Sequence, residues 1–151
     1  MTEIKQCSEI KLVGIRVFCP GNEYIEEIPK ASKQLSERVH EIKNVLNPSL
    51  QHGAFVVDSC SDEEDGYWVC VEVSDYEDIP ENMVTLRIPA QRYAVIRHKG
   101  SNGKIRDTYS KLHQWIEGNG YRRLMDQWHL EVFHDWSNPK EIEVELMDTI
   151  M

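Results

Sequence analysis

One order of elements occurs twice along this chain, and it constrains the fold more than any other feature: strand, helix, strand, strand. Ile10 to Phe18 reads as a strand, broken by Pro20, Gly21 and Asn22. Apolar residues then fall at helical spacing at Ile25, Ile28, Leu35, Val39, Ile42 and Leu46, with Pro29 in the first turn and Asn47-Pro48 as the stop. Ala54–Val57 and Tyr67–Val73 flank a polar turn and form a hairpin. The pattern restarts with an extended Val84–Ile88, ended by Pro89, and a strand from Tyr93 to His98. Gly100, Ser101 and Asn102 break it with helix-cap chemistry, and Ile105, Tyr109, Leu112 and Ile116 share one helical face. Gly118-Asn119-Gly120 ends that helix, and strands His129–Phe133 and Ile142–Leu146 follow, joined by a Ser137-Asn138-Pro139 turn. Side by side, LVGIRV from Leu12 answers YAVIRH from Tyr93, and IPKASKQLSERV from Ile28 answers IRDTYSKLHQWI from Ile105. YWVCVEV from Tyr67 is set over EIEVELM from Glu141. The expected fold class is α+β: two β-α-β-β repeats, about residues 8–76 and 83–150, in one domain over 1–151. Neither half alone can bury both faces of its sheet.

Charge and length exclude several classes. The 151 residues carry a formal charge of −9, which repels phosphate backbones, so no direct nucleic-acid partner is expected. The N-terminal MTEIKQCSEIK lacks an apolar signal core, and no stretch has the roughly 20 apolar residues of a membrane span. The expectation is a cytoplasmic chain with no membrane partner. Its cysteines, Cys7, Cys19, Cys60 and Cys70, form no CxxC pair and are expected to be free thiols there.

Strand alternation sorts side chains by face. Val69, Val71 and Val73 point toward the first helix, leaving Trp68, Cys70 and Glu72 opposite; Val13, Ile15 and Val17 share a face, with Gly14 and Arg16 opposite. In the second half Leu130 and Val132 are assigned to the helix, so His129, Glu131 and Phe133 share the other face. Ile142, Val144 and Leu146 point inward, and Glu141, Glu143 and Glu145 outward. The face away from the helices thereby mixes aromatics with charge, as a pocket for a flat, lipophilic, cationic molecule requires. Packing of the interface between halves accounts for the same aromatics.

The stretch IPAQRYAVIRHKGSNGKIRDTYSKLHQWIEGNGY from Ile88, followed by WHLEVFHDWSNPKEIEVELM, resembles the GyrI-like family, which includes effector-binding domains of multidrug-responsive transcription regulators. The IPAxxYAV entry, the Gly100 break, the WIxxxGY helix end (Trp115, Gly120, Tyr121) and the LEVF strand carry the resemblance, together with the NPxE-like turn and closing strand. It covers most of the second half; the first half matches in element order and in YWVCVEV. The resemblance implies a pseudo-two-fold axis, an antiparallel sheet with the helices on one side, and a ligand cleft between the repeats. It also implies a buried glutamate in the cleft, and Glu131 holds that position. If buried, Glu131 has a raised pKa unless a cation pairs with it. Where the family commonly has a tyrosine after the acid, this chain has Phe133. No helix-turn-helix pattern is present, so the chain reads as a stand-alone effector domain.

The expected ligand-binding set is Glu131, Trp68, Trp115, Phe133, Tyr93, Cys70 and His129, holding a small hydrophobic or cationic ligand. Two other functions stand beside binding. The resemblance admits a hydrolase of strained cyclopropane-type genotoxic molecules with Glu131 as general base for water. It also admits a protein-interaction module, with gyrase or a regulator as partner. No cofactor is expected. The six histidines show no spacing such as HExxH, although His129 and Glu131 could offer two metal ligands from one strand face. A Cys70–His129 nucleophile pair competes with Cys70 as a small apolar filler. KGSNGK, from Lys99 to Lys104, lacks Walker spacing and reads as a turn plus helix cap, with Arg97 and Lys99 near enough to meet an anion. Asp62, Glu63, Glu64 and Asp65 read as a solvated hairpin tip.

Overall fold

Each repeat is preceded by a leading strand: the extended Val84–Ile88 read before the second has a counterpart before the first that the sequence pattern does not announce. The computed structural model describes residues 2–58 and 61–151. Its elements are β1 (Glu3–Cys7), β2 (Ile10–Val17), α1 (Tyr24–Arg38), β3 (Gln51–Val56), β4 (Tyr67–Val73), β5 (Val84–Ile88), β6 (Gln91–Gly100), α2 (Ile105–Gly118), β7 (Trp128–Asp135) and β8 (Ile142–Thr149). Eight strands form one antiparallel sheet in the order β1-β6-β8-β7-β3-β4-β2-β5. The order is symmetric about the central β7–β3 pair, so the two halves are related as the repeat predicts. β1 escapes the sequence pattern because EIKQC holds a single large apolar residue; it is an edge strand, where pairing rather than burial holds it.

The leading strands are exchanged. β1 precedes the first repeat but pairs with β6 of the second, and β5 precedes the second repeat but pairs with β2 of the first. Two residues, Ser8 and Glu9, join β1 to β2, and Pro89 and Ala90 join β5 to β6, yet each pair stands six places apart in the sheet. Six steps of a flat sheet cover roughly 29 Å. Three Cα steps reach about 11 Å at most. The sheet is therefore rolled until its two edges meet at that end.

Rolling gives the sheet two buried faces. One residue row crosses it as Ile15, Val69, Gly53, Glu131, Leu146 and Ile96, each paired with the next. Direct cross-strand neighbours share a face. Val69 packs with Ala31 and Leu35 of α1, and Leu146 and Ile96 pack with Leu112 and Ile116 of α2, so both helices cover this face. The opposite face closes on itself around Leu12, Trp68, Cys70, Tyr93, Leu130 and Met147 without any helix. The same row corrects the fourth-strand alignment: Val69 answers Leu146, three positions beyond the Glu143 implied by setting Tyr67 over Glu141. An odd slip moves a strand to the wrong face.

α1 ends earlier than its apolar spacing suggests: the helix stops at Arg38 and a 3-10 turn follows at Val39–Glu41, so Ile42 and Leu46 lie beyond it. α1 begins at Tyr24, after a 3-10 turn at Gly21–Glu23, so Pro29 lies in the second turn. The bond its missing N–H would have made to the Ile25 carbonyl is lost, at a point where Ile25 is 81 % exposed and water can replace it. α2 follows the 3-10 turn Asn102–Lys104, where the Ser101 hydroxyl accepts the Gly103 N–H at 3.1 Å; KGSNGK is thus a turn and cap. Cys7, Cys19 and Cys70 are unpaired; Cys60 lies outside the described residues. Among the described residues no helix is long and apolar enough to cross a membrane.

Candidate functional site

A cavity of about 460 Å³ opens on the helix-covered face, between α1, the middle of the sheet and the β7–β8 turn. The repeat explains its position. In the alignment of the two helices Ser32 and Ser36 stand where α2 has Tyr109 and His113, and in the sheet Gly53 stands opposite Glu131. The first half carries small side chains where the second carries large ones. Leu35 and Leu112, also equivalent, are both fully buried, so the two helices dock alike and the missing volume remains as the cavity. α1 presents Ile28, Ser32 and Ser36, one stripe at four-residue spacing, and Phe133, Trp136 and Pro139 form an apolar wall from the other half.

At the inner end lies Glu131. Its carboxylate accepts two hydrogen bonds of 2.5 Å, from the Tyr67 hydroxyl on Oε1 and from the Tyr109 hydroxyl on Oε2. Tyr67 lines the cavity; Glu131 lies directly behind it, not in the wall. Burial pushes the Glu131 pKa up, and the two tyrosine hydroxyls pull it part of the way back. Burial and the neighbouring carboxylate push both tyrosines well above their ordinary range, so each remains a donor at neutral pH. Gly53 makes this arrangement sterically feasible: a Cβ there would stand 1.8 Å from the Tyr67 hydroxyl oxygen.

One turn further along α2, a second acid is held differently. Asp148, almost wholly buried, approaches His113 Nε2 at 2.8 Å, Arg123 Nε at 2.9 Å and His129 Nδ1 at 3.2 Å. Burial opposes its ionisation, but His129, Arg123 and His113 together hold its pKa below the usual aspartate range. The Tyr109 ring leans on His113 with centroids 5.7 Å apart, so the two acids are tended by adjacent residues of one helix face.

The cavity therefore lies on the face opposite the one expected. Glu131, His129 and Phe133 do share a face, but it is the helix-covered face; Leu130 and Val132 point into the closed core instead. The rolled sheet buries apolar residues on both sides, so alternation groups residues correctly without saying which group meets a helix. Phe133 lines the cavity. Trp68, Cys70 and Tyr93 are buried in the opposite core, where Trp68 meets Trp128 edge-on with centroids 5.0 Å apart and Tyr93 accepts the Gln91 amide at 2.8 Å. Trp115 stacks on Tyr121 at 5.9 Å behind α2, outside the cavity.

His129 faces the correct side, yet both ring nitrogens are engaged, by Asp148 and by the Leu124 carbonyl at 3.0 Å. It is separated from Cys70 by the sheet, so the two do not form a nucleophile pair, and burial drives the Cys70 thiol pKa far upward. Among the described residues no group of three or more His, Cys, Asp or Glu is arranged to hold a metal ion. Sequence reasoning missed Tyr67, Tyr109 and Trp136. The first two were legible: Tyr67 shares the parity of Val69, and Tyr109 lies on the apolar face of α2. Trp136 lies in a turn, where no periodicity applies.

A rolled eight-stranded sheet with both helices on one face, a half-open cavity between α1 and the sheet, and a buried acid behind it define an α+β domain with room for a small molecule. The family model of integron-associated effector-binding proteins, Cass2, matches residues 3–147, and the chain belongs to that family. It is 29% identical over 110 residues to the transcriptional regulator BrlR of Pseudomonas aeruginosa, a match covering 70% of this chain and 37% of that protein. The match thus spans about a third of the regulator's length. The crystal structure of the EcmrR C-terminal domain superposes with a TM-score of 0.71 at 23% identity, covering 100% of this chain and 97% of that one. The structure of SAV2435 bound to tetraphenylphosphonium superposes with a TM-score of 0.74 at 13% identity, covering 100% of this chain and 94% of the other. These likenesses agree with the GyrI-like resemblance of the sequence.

Proposed function

We propose that the cavity binds a small lipophilic cation, with Phe133, Trp136 and the α1 stripe enclosing its apolar body and Glu131 supplying the opposing charge through Tyr67. The observation that carries this reading is the carboxylate capped by two tyrosine hydroxyls, directly behind the inner end of a cavity whose outer wall is apolar. A hydroxyl that donates to a carboxylate leaves its oxygen and ring richer in electrons, which favours a cation over the ring and at the oxygen. A cation against the Tyr67 oxygen would stand about 5 Å from the carboxylate, worth roughly 3 kcal/mol at an effective dielectric of 20. The tetraphenylphosphonium held by SAV2435 is a ligand of this class.

Titration with tetraphenylphosphonium and with tetraphenylborate, its anionic twin in shape, tests the reading through quenching of Trp136. The cation is expected to bind and the anion not, and Glu131→Gln to weaken the cation by about 1–3 kcal/mol. Equal binding of both ions, or a Gln variant of unchanged affinity, would remove Glu131 as the selecting charge. Recovery of the ligand intact, checked by mass spectrometry, separates binding from hydrolysis.

A further inference from the structure

The wall formed by α1, β3 and β4, from buried Gln51 out to exposed Ser36, has a one-sided hydrogen-bonding character. Gln51, buried on β3, reaches α1: its amide donates to the Ser32 carbonyl at 3.0 Å and to Ser36 Oγ at 3.0 Å. A carbonyl oxygen only accepts, so the group facing Ser32 O must be the NH2, which fixes the amide orientation. Both amide hydrogens are then spent. Ser32 Oγ donates to Gln51 Oε1 at 2.6 Å, Ser36 Oγ donates to the Ser32 carbonyl at 3.0 Å, and the Tyr67 hydroxyl donates to Glu131. All four of these side chains line the cavity. Every side-chain donor among them is committed, and what each retains is an oxygen lone pair.

The rim differs. The Ser137 hydroxyl is committed to Asp135 at 3.0 Å, and the donors of Lys33, Asn102 and Trp136 belong to exposed or half-exposed residues at the mouth. Lys33 is the one formal charge among the described lining residues, and it too stands at the mouth.

We infer that the cavity selects cations carrying N–H donors (protonated amines, amidines or guanidiniums) over fully substituted ammonium or phosphonium ions of equal size. The inference rests on the cavity being the binding site, as proposed above. A quaternary cation satisfies the charge of Glu131 but strips water from the oxygens of Tyr67, Ser32 and Gln51 without replacing its hydrogen bonds. A protonated amine replaces them. The preference must overcome the extra methyl of the quaternary ion, which by apolar area alone binds roughly fourfold tighter.

The test uses the intact chain and two probes that differ by one methyl: diphenylmethyl-dimethylamine, protonated at pH 7, and diphenylmethyl-trimethylammonium. The protonated amine is expected to bind at least tenfold tighter by tryptophan quenching or calorimetry. In Gln51→Met, which keeps the volume and removes the acceptor, the ratio is expected to fall below threefold; the wild-type ratio stands as a test even if that variant fails to fold. Equal or tighter binding of the quaternary ion overturns the inference and leaves the cation-binding reading intact. Binding of neither probe nor tetraphenylphosphonium overturns both.

Discussion

Replacing Gly53 by alanine tests how the inner end of the cavity is built. Alanine in place of glycine within a strand normally stabilises by about 0.5–1 kcal/mol, because glycine loses more backbone freedom on folding. Gly53 is different: the added Cβ would lie 1.8 Å from the Tyr67 hydroxyl oxygen and 2.4 Å from its Cζ, well inside the 3.0 Å that real Cβ atoms respect. The phenol must swing away, and its hydrogen bond to Glu131 goes with it. A hydrogen bond to a charged group contributes about 1.5–3 kcal/mol. Subtracting the backbone gain leaves a net loss of about 0.5–2.5 kcal/mol, or about 1–10 °C in Tm for a chain of this size. Thermal unfolding by circular dichroism gives the number, and a cycle with Tyr67→Val identifies the cause. Without the phenol the Cβ has nothing to displace, so Gly53→Ala should become neutral or stabilising in that background. A Gly53→Ala variant as stable as wild type, or equally destabilised with and without Tyr67, would refute the steric account.

The acids give two further expectations, of opposite sign. The folded-state pKa of Glu131 is raised, so the folded chain keeps a proton the unfolded chain has released; the associated stability is complete below the ordinary glutamate range and is lost as pH rises through the folded pKa. Glu131→Gln should flatten that decline in denaturant titrations run upward from the ordinary glutamate range to neutral pH, and an unaltered slope would count against a buried Glu131 with a raised pKa. Asp148 is shifted down, so its contribution is present above the ordinary aspartate range and is lost as pH falls through the folded pKa. Asp148→Asn should cost about 3 kcal/mol at pH 7 by stranding Arg123 and the two histidines, and a loss under 1 kcal/mol would show the cluster to be peripheral.

The repeat was legible because each half spells its helix by apolar spacing and its strands by short apolar runs between turns. That Glu131 shares a face with His129 and Phe133 was legible because the three alternate along one strand. The side of the sheet on which they lie was not. Leu130 and Val132 are as apolar as Val69 and Val71, and nothing local says that the first pair enters a core without a helix while the second meets α1. That depends on the roll of the sheet, which the two-residue links at Ser8-Glu9 and Pro89-Ala90 impose once the strand order is known. Trp68 and Trp115 read as cavity residues because they are large aromatics; Trp68 fills the closed core, half-buried Trp115 stacks on Tyr121, and the cavity wall is Trp136, in a turn. The cavity could have been found from the repeat itself. Setting Ser32 against Tyr109 shows from the sequence alone which half is short of volume.

The exchanged leading strands bear on how such a chain is assembled and how it could have arisen. β1 is made before either repeat but has no partner until β6, roughly ninety residues later, has been made, and one edge of β2 likewise waits for β5. The first repeat therefore leaves the ribosome with one edge bare and cannot complete its sheet alone, which predicts slow, late closure dominated by distant pairings. A gene encoding only one repeat would face the same vacancy permanently. Two copies of that half-length chain would each hold out a leading strand and each lack one, and trading them would satisfy both. A strand-swapped homodimer is the natural state of such a fragment, and fusing its two subunits end to end would give the order of strands found here.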